Sequence, residues 1–110
     1  MPKLAYTTFL KNDPELQRQY RAYHDRVWPE VIAAFRTIGV NDLNIWQLDN
    51  RLFMTADVDE NFDFDAGLGA YLEVDPKCRE WESMMDEFQE APPGAPPGEK
   101  WVPLEHLYSF

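Results

Sequence analysis

The chain has 110 residues, 45% of them apolar, and its 20 acidic against 10 basic side chains give a net charge of −10. This size predicts one domain over residues 1–110 with a core of its own, and the negative charge disfavours nucleic acid and anionic membranes as partners. Cys78 is the single cysteine, which excludes an intramolecular disulfide, and the sequence contains neither a signal peptide nor a run long enough to span a bilayer. We therefore expect a cytoplasmic protein.

The first third of the chain predicts a strand followed by one long helix. Residues 3–11 are half apolar and rich in Thr, Tyr and Phe, which is typical of a strand. An Asp-Pro pair then suits the start of a helix over residues 14–37, and Gly39 suits its end. Pro29 lies inside this helix and removes a backbone donor, so a kink or break is expected near residues 26–28.

The remaining elements complete an α+β pattern. Residues 43–48 and 51–58 are rich in strand-forming types, and the polar pair between them predicts a hairpin. Four further elements follow: a short helix at 64–72, a helix at 76–89, an extended Pro- and Gly-rich loop at 91–98 and a last strand at 101–110. The order β-α-β-β-α-β predicts a ferredoxin-like fold, with a four-stranded antiparallel sheet and both helices on one face.

Apolar side chains on both faces of two strands predict a second copy of the chain. In residues 51–58, Leu52 and Met54 alternate with Phe53, and the last strand, residues 101–110, also has apolar residues of both parities. Helices on one face of the sheet cannot cover both sets. A homodimer related by a twofold axis is the simplest way to bury the second face.

His24 is the candidate functional residue because aromatic side chains surround it in the helical pattern. Residues spaced by four share one helix face, and here they place an imidazole at the centre of an apolar stripe: Leu16, Tyr20, His24, Trp28 and Ile32. A core histidine satisfied by a backbone carbonyl is one interpretation. A carbohydrate site with acid–base chemistry is the other, since aromatic rings stack on sugars and Glu82 adds a carboxylate.

Other classes of site have no pattern in the sequence. The glycines do not form a phosphate-binding loop, the serines do not lie on a nucleophile elbow, and His24 and His106 lack the spacing of metal ligands. Cys78 lies on an apolar helix face with Trp81, which favours a core position over a nucleophile. No metal or cofactor is expected.

The chain resembles the L-rhamnose mutarotase family. The resemblance rests on Tyr20-x-x-x-His24-x-x-x-Trp28-Pro29-Glu30, on a hairpin after it, on Cys78-Arg79-Glu80-Trp81, and on the later stretches WESMMDEFQ and PPGEKW, and it covers nearly the whole chain. It implies a homodimeric α+β barrel that interconverts the α and β anomers of a deoxyhexose, L-rhamnose or L-fucose, without metal or cofactor. It also implies that His24 transfers the proton and that Tyr20 and Trp81 contact the sugar, and we add Trp28 and Glu82 as expected sugar contacts.

Two positions depart from the family pattern. Leu43 stands where the family carries a tyrosine, and Trp46 cannot replace that ring because its parity differs and it should face the other side of the sheet. Glu82 stands where some members carry a second tryptophan. We expect it to accept a sugar hydroxyl or to pair with Lys100.

Three questions stay open at the level of sequence. The second proton-transfer group is Tyr20, Glu82 or a bound water. The sugar is L-rhamnose, L-fucose or a relative. The same fold also occurs in cofactor-free and haem-degrading monooxygenases, and a non-enzymatic module that binds a small ligand is a third class.

Overall fold

The structure is a computed structural model that describes residues 2–96 and 99–110. Its helices are α1 (Pro14–His24), α2 (Pro29–Thr37), α3 (Phe64–Val74) and α4 (Pro76–Asp86). Its strands are β1 (Lys3–Leu10), β2 (Val40–Leu48), β3 (Arg51–Val58), β4 (Gln89–Glu90) and β5 (Val102–Pro103). No helix in these two ranges is long and apolar enough to cross a membrane.

One antiparallel sheet organises these elements. The strand order is β2-β3-β1-β4, and β5 also pairs with β1. Burial alternates along β1 and β3, because one face of each strand lies under the helices and the other does not. The main core cluster joins Leu10 and Leu52 from the sheet to buried residues of the helices, Val31, Tyr71, Trp81 and Met85 among them. The predicted ferredoxin-like arrangement, with the helices on one face, is confirmed.

The predicted break in the long helix is also confirmed. The Asp13 side chain caps α1 by accepting hydrogen bonds from the backbone N–H groups of Glu15 and Leu16. The helix then ends at His24, and α2 starts five residues later with Pro29, whose ring suits a first turn and no interior position. The break places His24 at the C-terminal end of α1 rather than in the middle of a helix.

The prediction of a last strand over residues 101–110 is wrong for most of its length. β5 pairs with β1 only at Tyr6 and Thr7, next to the stretch of β1, Phe9 and Leu10, that pairs with β4. Pro103 then brings no N–H to the sheet, which limits a ladder. After one more bond, from Leu104 N–H to the Ala5 carbonyl, the chain leaves the sheet as an exposed tail.

Other predicted boundaries shift by a few residues. The helix predicted over 76–89 ends at Asp86, because Gln89 and Glu90 join the sheet as β4. The short helix expected at 64–72 extends to Val74. In the predicted loop, residues 91–96 have no helix or strand, and Pro97 and Gly98 lie outside the described residues.

Gly39 is required by the turn between α2 and β2. Its φ is +103°, and a Cβ there would lie 2.9 Å from Asp59 Oδ2. We expect Gly39→Ala to lower the free energy of unfolding by about 1–3 kcal/mol, because an L side chain is strained in this conformation. Gly69→Ala, inside α3 with no heavy atom within 4 Å, is the matched control and should raise it by up to about 1 kcal/mol. Urea unfolding measures both, and equal midpoints for the two variants would contradict the assignment.

Candidate functional site

A cavity of about 340 Å³ lies between the helices and the inner face of the sheet. Its size is within the range of roughly 300–1,000 Å³ that is usual for small-molecule sites. Most of its wall is apolar, from α2 and the hairpin strands: Val31, Phe35, Leu43, Ile45 and Met54. Helices α1 and α4 contribute four polar or aromatic groups to the wall: Tyr20, His24, Trp81 and Glu82. The fold therefore brings four of the five predicted site residues to one cavity.

The backbone of α1 fixes the orientation of the His24 ring. Its Nδ1 lies 2.8 Å from the Tyr20 carbonyl oxygen, one helical turn back. A carbonyl oxygen can only accept a hydrogen bond, so Nδ1 carries the proton and, in the neutral ring, Nε2 keeps its lone pair. Within the described ranges no side chain or backbone group hydrogen-bonds Nε2. The carbonyl bond predicted for a purely structural histidine is present, and it leaves a basic nitrogen free on a residue that lines the cavity.

Aromatic rings hold His24 from two sides. The Tyr20 ring centroid lies 4.3 Å from the imidazole centroid, and the Trp81 centroid lies 5.5 Å away at an interplanar angle of 67°. Trp81 is only 4% exposed, so its position is fixed by the core. Edge-to-face contacts of this kind favour one ring orientation. His24 is thus held in place by packing as well as by its hydrogen bond.

Trp28 is the predicted site residue that does not line the cavity. Its ring contacts Trp81 at a centroid distance of 5.1 Å, and the Lys77 ammonium lies 5.4 Å from its centroid. The broken helix explains this position, since residues 25–28 no longer continue the stripe on which the prediction rested. Trp28 packs against Trp81, and its contact with the sugar stays a prediction.

Burial lowers the pKa of His24 and raises the pKa of Tyr20. Desolvation lowers the pKa of His24, against the opposing effects of the Tyr20 carbonyl and Asp25. The imidazole is therefore neutral at neutral pH and able to accept a proton. Desolvation raises the pKa of Tyr20 to about 12, which keeps its hydroxyl protonated. Tyr20 is suited to donate a hydrogen bond and poorly suited to give up its proton.

Glu82 lies on α4, and its carboxylate contacts α3. Its Oε1 accepts a hydrogen bond of 3.0 Å from the hydroxyl of Tyr71. Desolvation raises the pKa of Glu82, the Tyr71 hydrogen bond opposes the rise, and Asp86 adds to it. The predicted alternative, a pair with Lys100, is wrong, because the Lys100 ammonium lies 3.0 Å from Asp86 instead.

The parity argument for the second strand holds in the structure. Leu43 lines the cavity, whereas Trp46 is on the other face of the sheet and is 55% exposed. The position where the family carries a tyrosine is thus apolar here, and Trp46 does not compensate for it. This end of the cavity is suited to an apolar group of the ligand.

Six polar or aromatic lining residues escaped the sequence analysis: Phe35, Arg36, Asn41, Asp42, Gln89 and Trp101. Asp42 follows an irregularity in the pairing of β2 with β3, between Val40 and Asp42, and such bulges change the direction of side chains. Gln89 is a buried polar residue next to a strand end, and no periodicity marks it. Among the described residues no group of three or more His, Cys, Asp or Glu side chains is placed to hold a metal ion.

Comparisons with known proteins agree on one family. Residues 3–110 match the family described as L-rhamnose mutarotase. An L-fucose mutarotase from Xanthomonas campestris pv. campestris is 40% identical, over 100% of this chain and 89% of its own length. An L-rhamnose mutarotase from Leptothrix cholodnii is 29% identical, over 96% of this chain and 95% of its own.

Solved structures support the fold. The crystal structure of an L-rhamnose mutarotase from Formosa agariphila has a TM-score of 0.73 at 21% identity, covering 100% of this chain and 99% of its own. The tetracenomycin F2 cyclase of Streptomyces glaucescens has a TM-score of 0.59 at 16% identity, covering 100% and 97%. At these identities the likeness concerns the fold alone.

Proposed function

The chain belongs to the L-rhamnose mutarotase family, and we propose that it interconverts the α and β anomers of L-rhamnose or L-fucose in the cavity beside His24. The observation that carries the assignment of His24 is its free Nε2, on a ring whose other nitrogen is bonded to the Tyr20 carbonyl. Tyr20 and Trp81 would contact the sugar, the first through its hydroxyl and the second through the face of its ring.

The reaction requires little more than proton transfer. Neutral His24 accepts the proton of the anomeric hydroxyl through Nε2 while the bond between C1 and the ring oxygen breaks, C1 becomes an aldehyde carbon and a second group delivers a proton to the ring oxygen. Rotation about the bond from C1 to C2 presents the other face of the aldehyde. The hydroxyl at C5 then attacks that face and returns its proton to the second group, and His24 returns its proton to the former aldehyde oxygen. One general acid–base contributes roughly 10²–10⁴-fold, and no redox step is involved.

The direct test is anomer exchange measured by saturation-transfer NMR. L-Rhamnose or L-fucose should show exchange between its anomer signals that rises in proportion to protein concentration. A Soret shift on incubation with haem, in the absence of sugar exchange, would instead support the monooxygenase class. Family membership and the polar groups of the cavity favour the mutarotase over that class and over a passive binding module.

A homodimer is part of the proposal. Trp46 and Leu48 lie on the face of the sheet opposite the helices, and the tail beyond β5 exposes Leu107, Tyr108 and Phe110. Large exposed apolar side chains gathered on one sheet face or one segment often mark an interface. A second copy related by a twofold axis would cover this outer face and form the α+β barrel implied by the sequence. The cytoplasmic location and the absence of a cofactor stay predictions.

Dilution tests the dimer. The apparent free energy of unfolding should fall by about 1.4 kcal/mol for each tenfold dilution, because dissociation is linked to unfolding. Trp46→Glu should yield monomers in sedimentation, whereas Val74→Glu, an exposed apolar residue at the end of α3, is the matched control and should leave the dimer intact. A compact monomer whose melting temperature is indifferent to a hundredfold dilution would contradict the dimer.

A further inference from the structure

Glu82 lies at the boundary between two cavities. Besides the main cavity, a smaller one of about 70 Å³ lies between α3 and the inner face of the sheet. Its own wall is aromatic and aliphatic, with Tyr6, Phe62, Phe64 and Leu68, and Glu82 is the only charged residue among the described residues that line it. Glu82 also lines the main cavity that contains His24. One carboxyl group is therefore placed where a polar site meets an apolar recess.

Tyr71 holds this carboxyl group in a fixed orientation. Its side chain is fully buried and stacks on Phe35 at a centroid distance of 4.2 Å and an interplanar angle of 12°. Its hydroxyl donates to Glu82 Oε1 at 3.0 Å, which leaves Oε2 for a ligand. Within the described ranges no lysine or arginine nitrogen lies within 4.0 Å of Glu82, so no ion pair occupies it. Charged side chains withdrawn from water usually have a partner of opposite charge, and this half-buried carboxyl group has none among the described residues.

We propose that Glu82 is the second proton-transfer group, which exchanges a proton with the ring oxygen of the sugar while His24 exchanges one with the anomeric hydroxyl. This inference rests on the proposed function. Of the three groups that the sequence left open, Tyr20 is poorly suited to exchange its proton, because burial raises the pKa of its hydroxyl to about 12. Glu82 is favoured over a bound water because Tyr71 holds its carboxyl group at the boundary of the two cavities. Glu82 would then touch the substrate as a catalytic residue, and Tyr71 would be a positioning residue.

The apolar recess explains how a 6-deoxyhexose would present its ring oxygen to Glu82. The C5 atom of the sugar carries both the methyl group and the ring oxygen. A methyl group directed toward Leu43, Met54 and the recess therefore brings the ring oxygen to the carboxyl group at its boundary. The same orientation leaves the anomeric carbon, on the other side of the ring oxygen, directed toward the main cavity and His24.

The proton balance closes with these two groups alone. During ring opening, His24 takes the proton of the anomeric hydroxyl, and the protonated Glu82 gives its proton to the ring oxygen as the bond from C1 breaks. His24 is then cationic and Glu82 anionic, and the sugar is a neutral hydroxy-aldehyde. During closure on the other face, Glu82 takes the proton back from the hydroxyl at C5, and His24 returns its proton to the aldehyde oxygen. No oxidant, reductant or additional reactant is required.

The environment of Glu82 supports its role as an acid that holds a proton. Desolvation raises its pKa, and the titratable groups that face it are the Tyr71 hydroxyl from α3, the Tyr20 hydroxyl from α1, and Cys78 and Asp86 from its own helix. Arg36, Asp42 and His24 line the same cavity from α2, β2 and α1. Desolvation lowers the pKa of His24 as it raises the pKa of Glu82, so burial favours the neutral form of both groups, which are the base and the acid that the reaction requires.

Glu82→Gln is the decisive variant, because glutamine keeps the shape and the acceptor for Tyr71 but carries no transferable proton. We expect the exchange rate at saturating sugar to fall by roughly 10²-fold while the sugar affinity changes by less than about threefold. Glu80→Gln, the same change on an exposed residue of α4 that pairs with Lys77, is the control and should leave the rate unchanged. The rate against pH should be bell-shaped in the parent and lose one limb in Glu82→Gln.

Tyr71→Phe and a sugar analogue test the arrangement separately. Loss of the hydroxyl removes the hydrogen bond that lowers the pKa of Glu82, so the limb of the pH profile due to Glu82 should move to higher pH while the limb due to His24 stays.

The sugar analogue tests the apolar recess. L-Galactose is L-fucose with a hydroxyl at C6, and its affinity should be lower than that of L-fucose by roughly tenfold or more, because the recess is apolar.

Each outcome bears on the inference. An active parent whose Glu82→Gln variant exchanges equally fast, with the same pH profile, would overturn the role of Glu82 and leave the proposed function intact. A variant that loses affinity but keeps both limbs would also overturn it, because Glu82 would then only bind the sugar. A parent inactive on every sugar would overturn the proposed function together with this inference.

Discussion

Replacing His24 with asparagine should lower anomer exchange by roughly 10²–10⁴-fold, the share of the rate that a single general base supplies. Asparagine keeps a donor near the Tyr20 carbonyl, so the end of α1 should hold its conformation, but it has no basic nitrogen to replace Nε2. The rate is measured by saturation-transfer NMR at saturating sugar. Circular dichroism and sedimentation establish that the variant is folded and has the same oligomeric state as the parent.

The second histidine of the chain supplies the control. His106 is exposed on the tail, where its Nε2 lies 2.8 Å from the Ser109 hydroxyl, and His106→Asn should exchange anomers at the parental rate. The parent should also lose activity as the pH falls through the pKa of His24, which burial places below its ordinary value of 6.5, since protonation removes the base. A folded His24→Asn protein that exchanges as fast as the parent would contradict the assignment.

Replacing Trp81 with alanine should have the largest effect on stability, because this ring fills core volume and lines the cavity at once. The free energy of unfolding should fall by about 3–5 kcal/mol, as is usual for deletion of a buried tryptophan side chain. The loss also removes the edge-to-face contact with His24 and the contact with Trp28, so the imidazole should be less well oriented. Urea unfolding and sugar titration followed by tryptophan fluorescence measure the two effects.

Trp81→Phe separates the core role from the sugar contact. Phenylalanine retains an apolar ring and should recover a large part of the lost stability, but it offers a smaller face to the sugar and should bind it more weakly than the parent. If sugar quenched the fluorescence equally in the parent and in a folded Trp81 variant, Trp81 would be a core residue only.

The sequence predicted correctly those features that depend on interactions between neighbouring residues. The Asp13 cap, the break before Pro29 and the hairpin around residues 49–50 each depend on a few neighbouring residues, and all three are present. Strand parity was equally reliable, since it placed Leu43 and Trp46 on opposite faces of the sheet. His24, Tyr20 and Trp81 reach one cavity because the fold brings α1 and α4 together.

The remainder depends on contacts between distant elements. The hydrogen bond from Tyr71 to Glu82 joins α3 to α4, and no sequence pattern in either helix predicts it. The last strand is short because only Val102 and Pro103 pair with the distant strand β1, and Pro103 offers no N–H to the ladder. Trp28 is not among the residues that line the cavity, because α1 ends at His24 and the helical stripe does not continue to it.

The most direct test of the proposed function is anomer exchange in the unmodified protein across a small panel of sugars. Saturation of one anomer signal of L-rhamnose, L-fucose or D-galactose, with and without protein, reports the exchange rate against the spontaneous rate. We expect exchange that increases linearly with protein concentration for L-rhamnose or L-fucose and stays near the spontaneous rate for D-galactose. Spontaneous rates for every sugar, from protein that is folded by circular dichroism, would contradict a mutarotase.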